Sequence, residues 1–162
     1  MAIAGNLNFD PDFFNKYATI DRYLSRGASG SVYGPIEWNG TQLAIKQVMF
    51  AESKVTEEFR KNLEVKKAIW TSLEHKHLTR IHWVDFSQLP KVMFSVMNFA
   101  AGGSLNKTLR SLGSENKLSI DIVTDWAKQI AEGMRYLHEK KIVHRDLKSA
   151  NGELMQKIVL SL

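Results

Sequence analysis

Cysteine is absent from the 162 residues, so the chain forms no disulfide bonds, which is compatible with the cytosol. Long hydrophobic runs are also absent, and no stretch approaches the length that spans a bilayer. The N-terminal residues lack the basic region of a signal peptide and carry Asp10 and Asp12, while Ala2 in place of glycine excludes N-myristoylation. We therefore expect a cytoplasmic protein with no membrane partner.

A basic stripe with interleaved aromatic residues is missing as well, although the net charge is +5. Lysines are spread along the chain with acids among them, which favours a solvated surface over a nucleic-acid interface. A nucleic-acid-binding module rests on the net charge alone, and we expect no nucleic-acid partner. With 44% hydrophobic and 24% charged residues, the composition is that of a soluble globular domain.

One polar stretch, residues 144–151, concentrates reactive groups and has the sequence His-Arg-Asp-Leu-Lys-Ser-Ala-Asn. The carboxylate of Asp146 can accept a proton from an attacking hydroxyl, and the amide oxygen of Asn151 can ligate a hard cation such as Mg²⁺. Lys148, between them, can offer a positive charge to a phosphate in transit. A chance polar loop is the alternative.

Two upstream features fit the same chemistry. Gly27 and Gly30 lie in a tight turn between two short β-rich runs, where backbone N–H groups can approach an anion closely. The apolar strand 43–46 then ends in Lys46, and a lysine on a buried strand is costly unless it is paired or meets a ligand's negative charge. Taken singly, a plain hairpin and a surface lysine are the alternatives.

In this order, the Gly-rich turn, the strand lysine and the loop at 144–151 resemble the motifs of the protein kinase domain, whose catalytic loop has the pattern H-R-D-L-x-x-x-N. The resemblance implies an α+β, two-lobe fold, with an antiparallel small-lobe sheet, one helix and the first helices of an incomplete large lobe. It also implies transfer of phosphate from ATP, with Mg²⁺, to a protein substrate. Asp-Leu-Lys-x-x-Asn at 146–151 is similar to the serine/threonine branch.

The resemblance assigns roles to individual residues. Asp146, Lys148 and Lys46 are the expected catalytic residues, and Asn151 is the expected metal ligand. The expected ATP-binding residues lie in the Gly-rich turn, on the lysine strand and at the hinge, and are Ser25, Arg26, Gly27, Ala28, Ser29, Gly30, Val32, Ala44, Lys46, Met97, Asn98 and Ala100. Ser25 departs from the family pattern, which has a glycine there.

The same resemblance divides the chain. It implies a small lobe at 17–97, a hinge at 98–103, the start of a large lobe at 104–151 and a divergent tail at 152–162, while residues 1–16 lack clear periodicity and predict an irregular lead-in. Apolar residues recur every three to four positions from 120 to 140 and predict a helix. That helix is similar to the one before the catalytic loop in mixed-lineage kinases, which implies a MAP-kinase cascade and a MAP kinase kinase as the protein substrate.

Residues 56–74 predict a second helix, capped by Thr56. In the family this helix supplies a glutamate partner to the strand lysine, but the corresponding position here is Lys66. Helical geometry places Lys66 near the middle of the apolar face, whereas the nearest acid, Glu64, points away. Either the helix shifts register to present Glu64, or Lys46 lacks its usual partner, and we favour the second.

After Asn151 we expect the family pattern to stop. Glu153 replaces an apolar residue that lies beneath adenine, and no Asp-Phe-Gly follows to supply the aspartate that holds Mg²⁺. A splice variant, a frameshift or an incomplete gene model would each explain this. We expect this chain by itself to be inactive, with the apolar stripe of the 120–140 helix exposed. The alternative function is a pseudokinase or truncated isoform that acts as a non-catalytic binding protein.

Overall fold

The computed structural model describes residue 9 and residues 11–27, 30–111, 118–154 and 158–160. These residues form two compact units. The first unit contains the described residues up to Leu73 together with Arg80–Phe99, and the second contains Glu74–Thr79 and the described residues from Ala100 onward.

A five-stranded sheet forms the centre of the first unit. Its strands are β1 (Tyr23–Gly27), β2 (Gly30–Trp38), β3 (Thr41–Met49), β4 (Ile81–Asp85) and β5 (Val92–Asn98). They lie in the order β1-β2-β3-β5-β4, and all neighbours are antiparallel. Asn39 and Gly40, with φ of 48° and 74°, make the tight turn between β2 and β3. The antiparallel sheet predicted from the sequence is confirmed.

A short helix, α1 (Pro11–Tyr17), precedes the sheet, so the prediction of an irregular lead-in over 1–16 is wrong from Pro11 onward. Phe9, Phe13 and Phe14 are buried in the main hydrophobic cluster of the unit. Phe9, Phe13 and Tyr17 recur at intervals of four residues, which aligns them along one side of the segment. Proline is also favourable in the first turn of a helix.

The helix predicted over 56–74 is confirmed as α2 (Glu57–Ser72). Thr56 caps it as predicted, because its Oγ1 accepts a hydrogen bond from the backbone N–H of Phe59 at 3.1 Å. The helix packs against β4. The first unit is therefore a sheet with one long helix against it, as the kinase resemblance implies for the small lobe.

The packed side of α2 differs from the prediction, because Lys66 is exposed, as is Glu64. The next residue, Lys67, takes the inward position, with its Nζ 5.2 Å from the ring centroid of Trp83 and 5.5 Å from that of Phe86. A lysine can bury its aliphatic stem and place its ammonium group over aromatic faces. The expectation that Lys66 lies in the middle of the packed face is therefore wrong.

The second unit contains α3 (Leu105–Ser111) and α4 (Ile120–Glu139), and α4 confirms the helix predicted over 120–140. Single 3₁₀ turns occur at Ile20–Arg22, Glu52–Lys54 and Ser149–Asn151. The Oγ of Ser119 accepts a hydrogen bond from the N–H of Ile122 at 3.3 Å and so caps α4. Across the described part of the chain, no helix combines the length and apolarity needed to cross a membrane.

The apolar stripe of α4 is exposed at one end and covered at the other. Ile120 is 75% exposed, and Ile122 and Val123 are also exposed. Gly133 and Leu137, near the C-terminal end, are buried. The predicted exposed patch is therefore limited to the N-terminal half of the helix.

Residues after Asn151 form a hairpin of β6 (Gly152–Leu154) and β7 (Ile158–Leu160), and β7 packs on α4. The backbone N–H of Leu160 donates to His77 O, and its carbonyl accepts from Thr79 N–H, both at 2.9 Å. Val159 and Leu160 are buried. Within the tail that we expect to diverge from the family, these two apolar residues therefore anchor a regular hairpin.

Gly133 lies so close to the 77–79 backbone that a methyl group does not fit. A Cβ there would lie 2.9 Å from the backbone oxygen of His77 and 3.3 Å from Leu160 Cδ1. We expect Gly133→Ala to destabilise the chain by about 1–3 kcal/mol, because helix and backbone must separate. Urea unfolding measures the effect, with Lys128→Ala at an exposed position of α4 as the control. Equal stability of the two variants would contradict this packing.

Candidate functional site

The predicted Gly-rich turn joins β1 to β2. Ser25, Arg26 and Gly27 form the exposed end of β1. Ala28 and Ser29 are also predicted to bind nucleotide, but they lie outside the described residues. The structure therefore shows the two flanks of the turn.

Gly30 begins β2 with a φ of 126°, a conformation that residues with side chains rarely adopt. A Cβ at this position would collide with the backbone carbonyl oxygen of Gln47 in β3. The position therefore requires glycine because β3 comes so close. This steric reason for glycine is separate from the predicted one, which is that glycine lets backbone N–H groups approach an anion.

The pairing of β2, β3 and β5 brings four predicted residues onto one side of the sheet. Lys46 lies opposite Val32 and Ser95, and Ala44 lies opposite Met97. Directly opposed residues share a face, as do residues two apart on one strand. Ala44 and Met97 are buried, whereas Val32 and Lys46 are half-buried. We call Val32, Ala44, Lys46 and Met97 the lysine face, an apolar surface that carries one ammonium group.

The predicted hinge begins where β5 ends. The backbone N–H of Asn98 donates to Arg80 O at 3.0 Å, and its side-chain Oδ1 lies 2.7 Å from His82 Nε2. The Asn98 N–H is therefore committed to the sheet and is not available to a nucleotide base. Ala100 starts a turn in the second unit, where its carbonyl accepts from Gly103 N–H at 3.1 Å.

In the second unit, the loop at 144–151 brings three predicted residues into direct contact. The Nζ of Lys148 lies 2.9 and 2.7 Å from the two carboxylate oxygens of Asp146. The Nδ2 of Asn151 donates to the same carboxylate and to the Asp146 backbone carbonyl, both at 2.8 Å. Arg145, with a φ of 65°, turns the chain immediately before them.

These contacts keep Asp146 ionised. The hydrogen bond from Lys148, followed by the one from Asn151, lowers the pKa of the Asp146 carboxyl below its ordinary value. A carboxylate with a lowered pKa is a weak base. Asp146 is therefore better suited to orient a hydroxyl group than to remove its proton completely.

Asn151 alone does not make a magnesium site. Its Nδ2 is used by Asp146, which leaves Oδ1 as one neutral oxygen, whereas protein-bound Mg²⁺ uses carboxylates together with phosphate oxygens. The described ranges hold no group of three or more His, Asp or Glu residues that could bind a metal ion. These residues therefore do not fit a resident magnesium ion.

Glu153, expected beneath the nucleotide base, bonds within the second unit. The Oγ1 of Thr79 donates to Glu153 Oε2 at 3.1 Å, and Thr79 is only 4% exposed. Glu153 also forms a backbone bridge to Ser104. No local sequence pattern indicates Thr79, because 74 residues separate it from Glu153.

A family model described as the protein kinase domain matches residues 18–158. The match continues past Asn151 to the first residue of β7, so the expectation that the family pattern stops at Asn151 is wrong.

Several curated proteins are similar to the chain over most of its length. It is 33% identical to mitogen-activated protein kinase kinase kinase 3 of Mus musculus over 132 residues, which is 80% of this chain and 21% of that protein. It is 31% identical over 130 residues to mitogen-activated protein kinase kinase kinase 1a of Physcomitrium patens, covering 80% and 16%. It is 29% identical over 143 residues to serine/threonine-protein kinase pak-1 of Caenorhabditis elegans, covering 88% and 23%. The chain thus spans less than a quarter of each relative.

Lys148→Met should raise the pKa of Asp146, because it removes the largest of the contacts that lower it. The Asp146 carboxyl has a lower pKa in the folded chain than in the unfolded chain. The contact therefore stabilises the fold fully at pH values above the pKa of the unfolded chain. This stabilisation is lost as the pH falls through the pKa of the folded chain. A ¹³C NMR titration of Asp146 measures the change, with Lys128→Met as the charge-matched control. An unchanged pKa in Lys148→Met would contradict the contact.

Proposed function

The chain belongs to the protein kinase family, and from this premise we propose that it binds ATP and that its residues serve, in a complete kinase domain, the transfer of the γ-phosphoryl group to a serine or threonine hydroxyl of a protein. The contact of Asp146 with Lys148 and Asn151 supports this proposal most. Residues 17–97, 98–103 and 104–151 would be its small lobe, hinge and first part of the large lobe. The serine/threonine preference rests on Asp-Leu-Lys-x-x-Asn and on the similarity to pak-1.

ATP would bind along the lysine face. Lys46 would contact the α- and β-phosphates, and the backbone N–H groups around Gly27 and Gly30 would face phosphate oxygens. The apolar side chains of Ala44 and Met97 would contact the adenine ring. A planar apolar base beside a charged phosphate chain matches an apolar surface that carries one ammonium group.

The loop would act on the accepting hydroxyl. The oxygen of this hydroxyl would form a bond to the γ-phosphorus. The bond from that phosphorus to the ADP oxygen would break, and ADP would leave with the electron pair. Asp146 would orient the hydroxyl and attract its proton, and Lys148 would stabilise charge on the transferred group. ATP would bring its own divalent cation, such as Mg²⁺, which would neutralise phosphate charge, because Asn151 by itself does not hold one.

The names of the relatives suggest a protein substrate for the reaction. Two of those named above are mitogen-activated protein kinase kinase kinases, so we propose a MAP kinase kinase as the protein substrate. A signalling role in the cytoplasm would agree with the absence of cysteine.

A second candidate function is a non-catalytic binding protein. The residue that corresponds to the family's helix glutamate is Lys66, and both Lys66 and Glu64 are exposed. This departure removes a group that phosphoryl transfer uses without removing the lysine face, so it favours a protein that binds nucleotide and a kinase partner.

Two measurements on the purified chain test the proposal and separate the candidates. We expect ATP to bind, and Lys46→Met to weaken binding at least about ten-fold by removing the phosphate contact. Lys128→Met on the exposed side of α4 is the matched control. We expect no phosphate transfer to a protein substrate above that of Asp146→Asn, because one neutral metal ligand does not suffice.

The outcomes discriminate clearly. Failure of the wild-type chain to bind ATP would contradict the proposed function. Transfer that disappears in Asp146→Asn would exclude the non-catalytic candidate and would show that our expectation of inactivity is wrong.

A further inference from the structure

The N-terminal helix lies outside the family match and yet inside the core of the first unit. The kinase match begins at residue 18, whereas α1 ends at Tyr17. Phe9, Phe13 and Phe14 are nevertheless only 3%, 5% and 1% exposed. The family match therefore leaves out a segment of this chain that buries three large side chains.

Helix α1 covers the face of the sheet opposite the lysine face. The cluster that it joins contains six buried apolar residues from β2, β3 and β5, namely Ile36, Leu43, Ile45, Val92, Phe94 and Val96. Side chains alternate along a strand, so Leu43 and Ile45 point away from the side that carries Ala44 and Lys46. We call this covered surface the outer face.

Aromatic side chains supply the contacts. Phe14 stacks on Phe94 with ring centroids 4.5 Å apart and planes 10° apart. Phe13 meets Trp38 edge-on at 5.1 Å, and Phe9 lies 5.6 Å from the same ring. The opposite side of α1 is polar, with Asp12, Asn15 and Lys16 exposed. This is the arrangement of an amphipathic helix that occupies an apolar groove.

The helix depends on that groove for its own structure. A seven-residue helix is not stable by itself in water, so α1 forms through docking. Without it, the apolar outer face would be open to solvent and prone to association.

We propose that the outer face is a helix-binding groove, and that α1 together with Phe9 is its tethered occupant, an intramolecular ligand that docks and undocks as a unit. The functional domain of this chain therefore begins near Phe9. The groove accepts an amphipathic segment with aromatic residues spaced by three to four positions, and the tether keeps the chain's own segment bound in preference to another.

Exchange with a peptide tests the proposal. Phe13→Ala/Phe14→Ala in the full chain should release the segment, and a fluorescent peptide of residues 7–19 should then bind at least about ten-fold more tightly than it binds the wild-type chain. The wild-type groove is protected by the high effective concentration of its tethered occupant. A peptide with Phe14→Ala should bind neither protein, and a peptide with Lys16→Ala, changed on the exposed side, should bind like the unmodified one.

Circular dichroism first establishes whether the double variant is folded. A folded variant that does not bind the peptide, or equal peptide affinity for variant and wild type, would overturn the proposal. Hydrogen exchange on the wild-type chain decides the matter if the variant does not fold. The amide of Ala18, which donates to Phe14 O at 2.8 Å, should open separately from and before the amides of β3. If the amide of Ala18 and the amides of β3 exchange only through one global unfolding step, α1 is a fixed part of the core, and this result would also overturn the proposal.

Discussion

The register between β2, β3 and β5 is the constraint on which the rest of the first unit depends. It sets Lys46 opposite Val32 and Ser95, and Ala44 opposite Met97. A slip of one residue would turn Lys46 into the apolar cluster and move Ile45 to the side of the lysine face, because side chains alternate along a strand. Burial of Leu43 and Ile45 on the outer face opposes such a slip. The aromatic helix α1 therefore adds apolar contacts behind the strand that carries the lysine.

Local motifs define the parts of the candidate site for which the sequence makes a prediction. Each of these motifs lies within a few residues, so it can be recognised from the sequence without a structure. They are the glycine spacing, the lysine at the end of an apolar strand and the polar loop. The paired strands and α2 followed from periodicity and from the cap at Thr56. The close contact of Asp146, Lys148 and Asn151 likewise arises within a single loop.

The errors share a physical cause, which is contact between residues far apart in the chain. Lys66 was expected inward because an apolar stripe alone does not show that Lys67 can rest on the aromatic rings of Trp83 and Phe86. The helix at Pro11–Tyr17 is too short to be predicted from periodicity, and its stability comes from the sheet. The hairpin after Asn151 depends on backbone bonds from Leu160 to residues 77–79.

The central claim is that the lysine face binds ATP, and NMR mapping on the intact chain tests it most directly. During an ATP titration we predict that the amide signals of Gly27, Gly30, Lys46 and Met97 shift together and saturate at one affinity, while that of Phe14 behind the sheet changes little. Shifts confined to the exposed half of α4 or to α1, with the lysine-face signals unchanged at saturating ATP, would contradict the account.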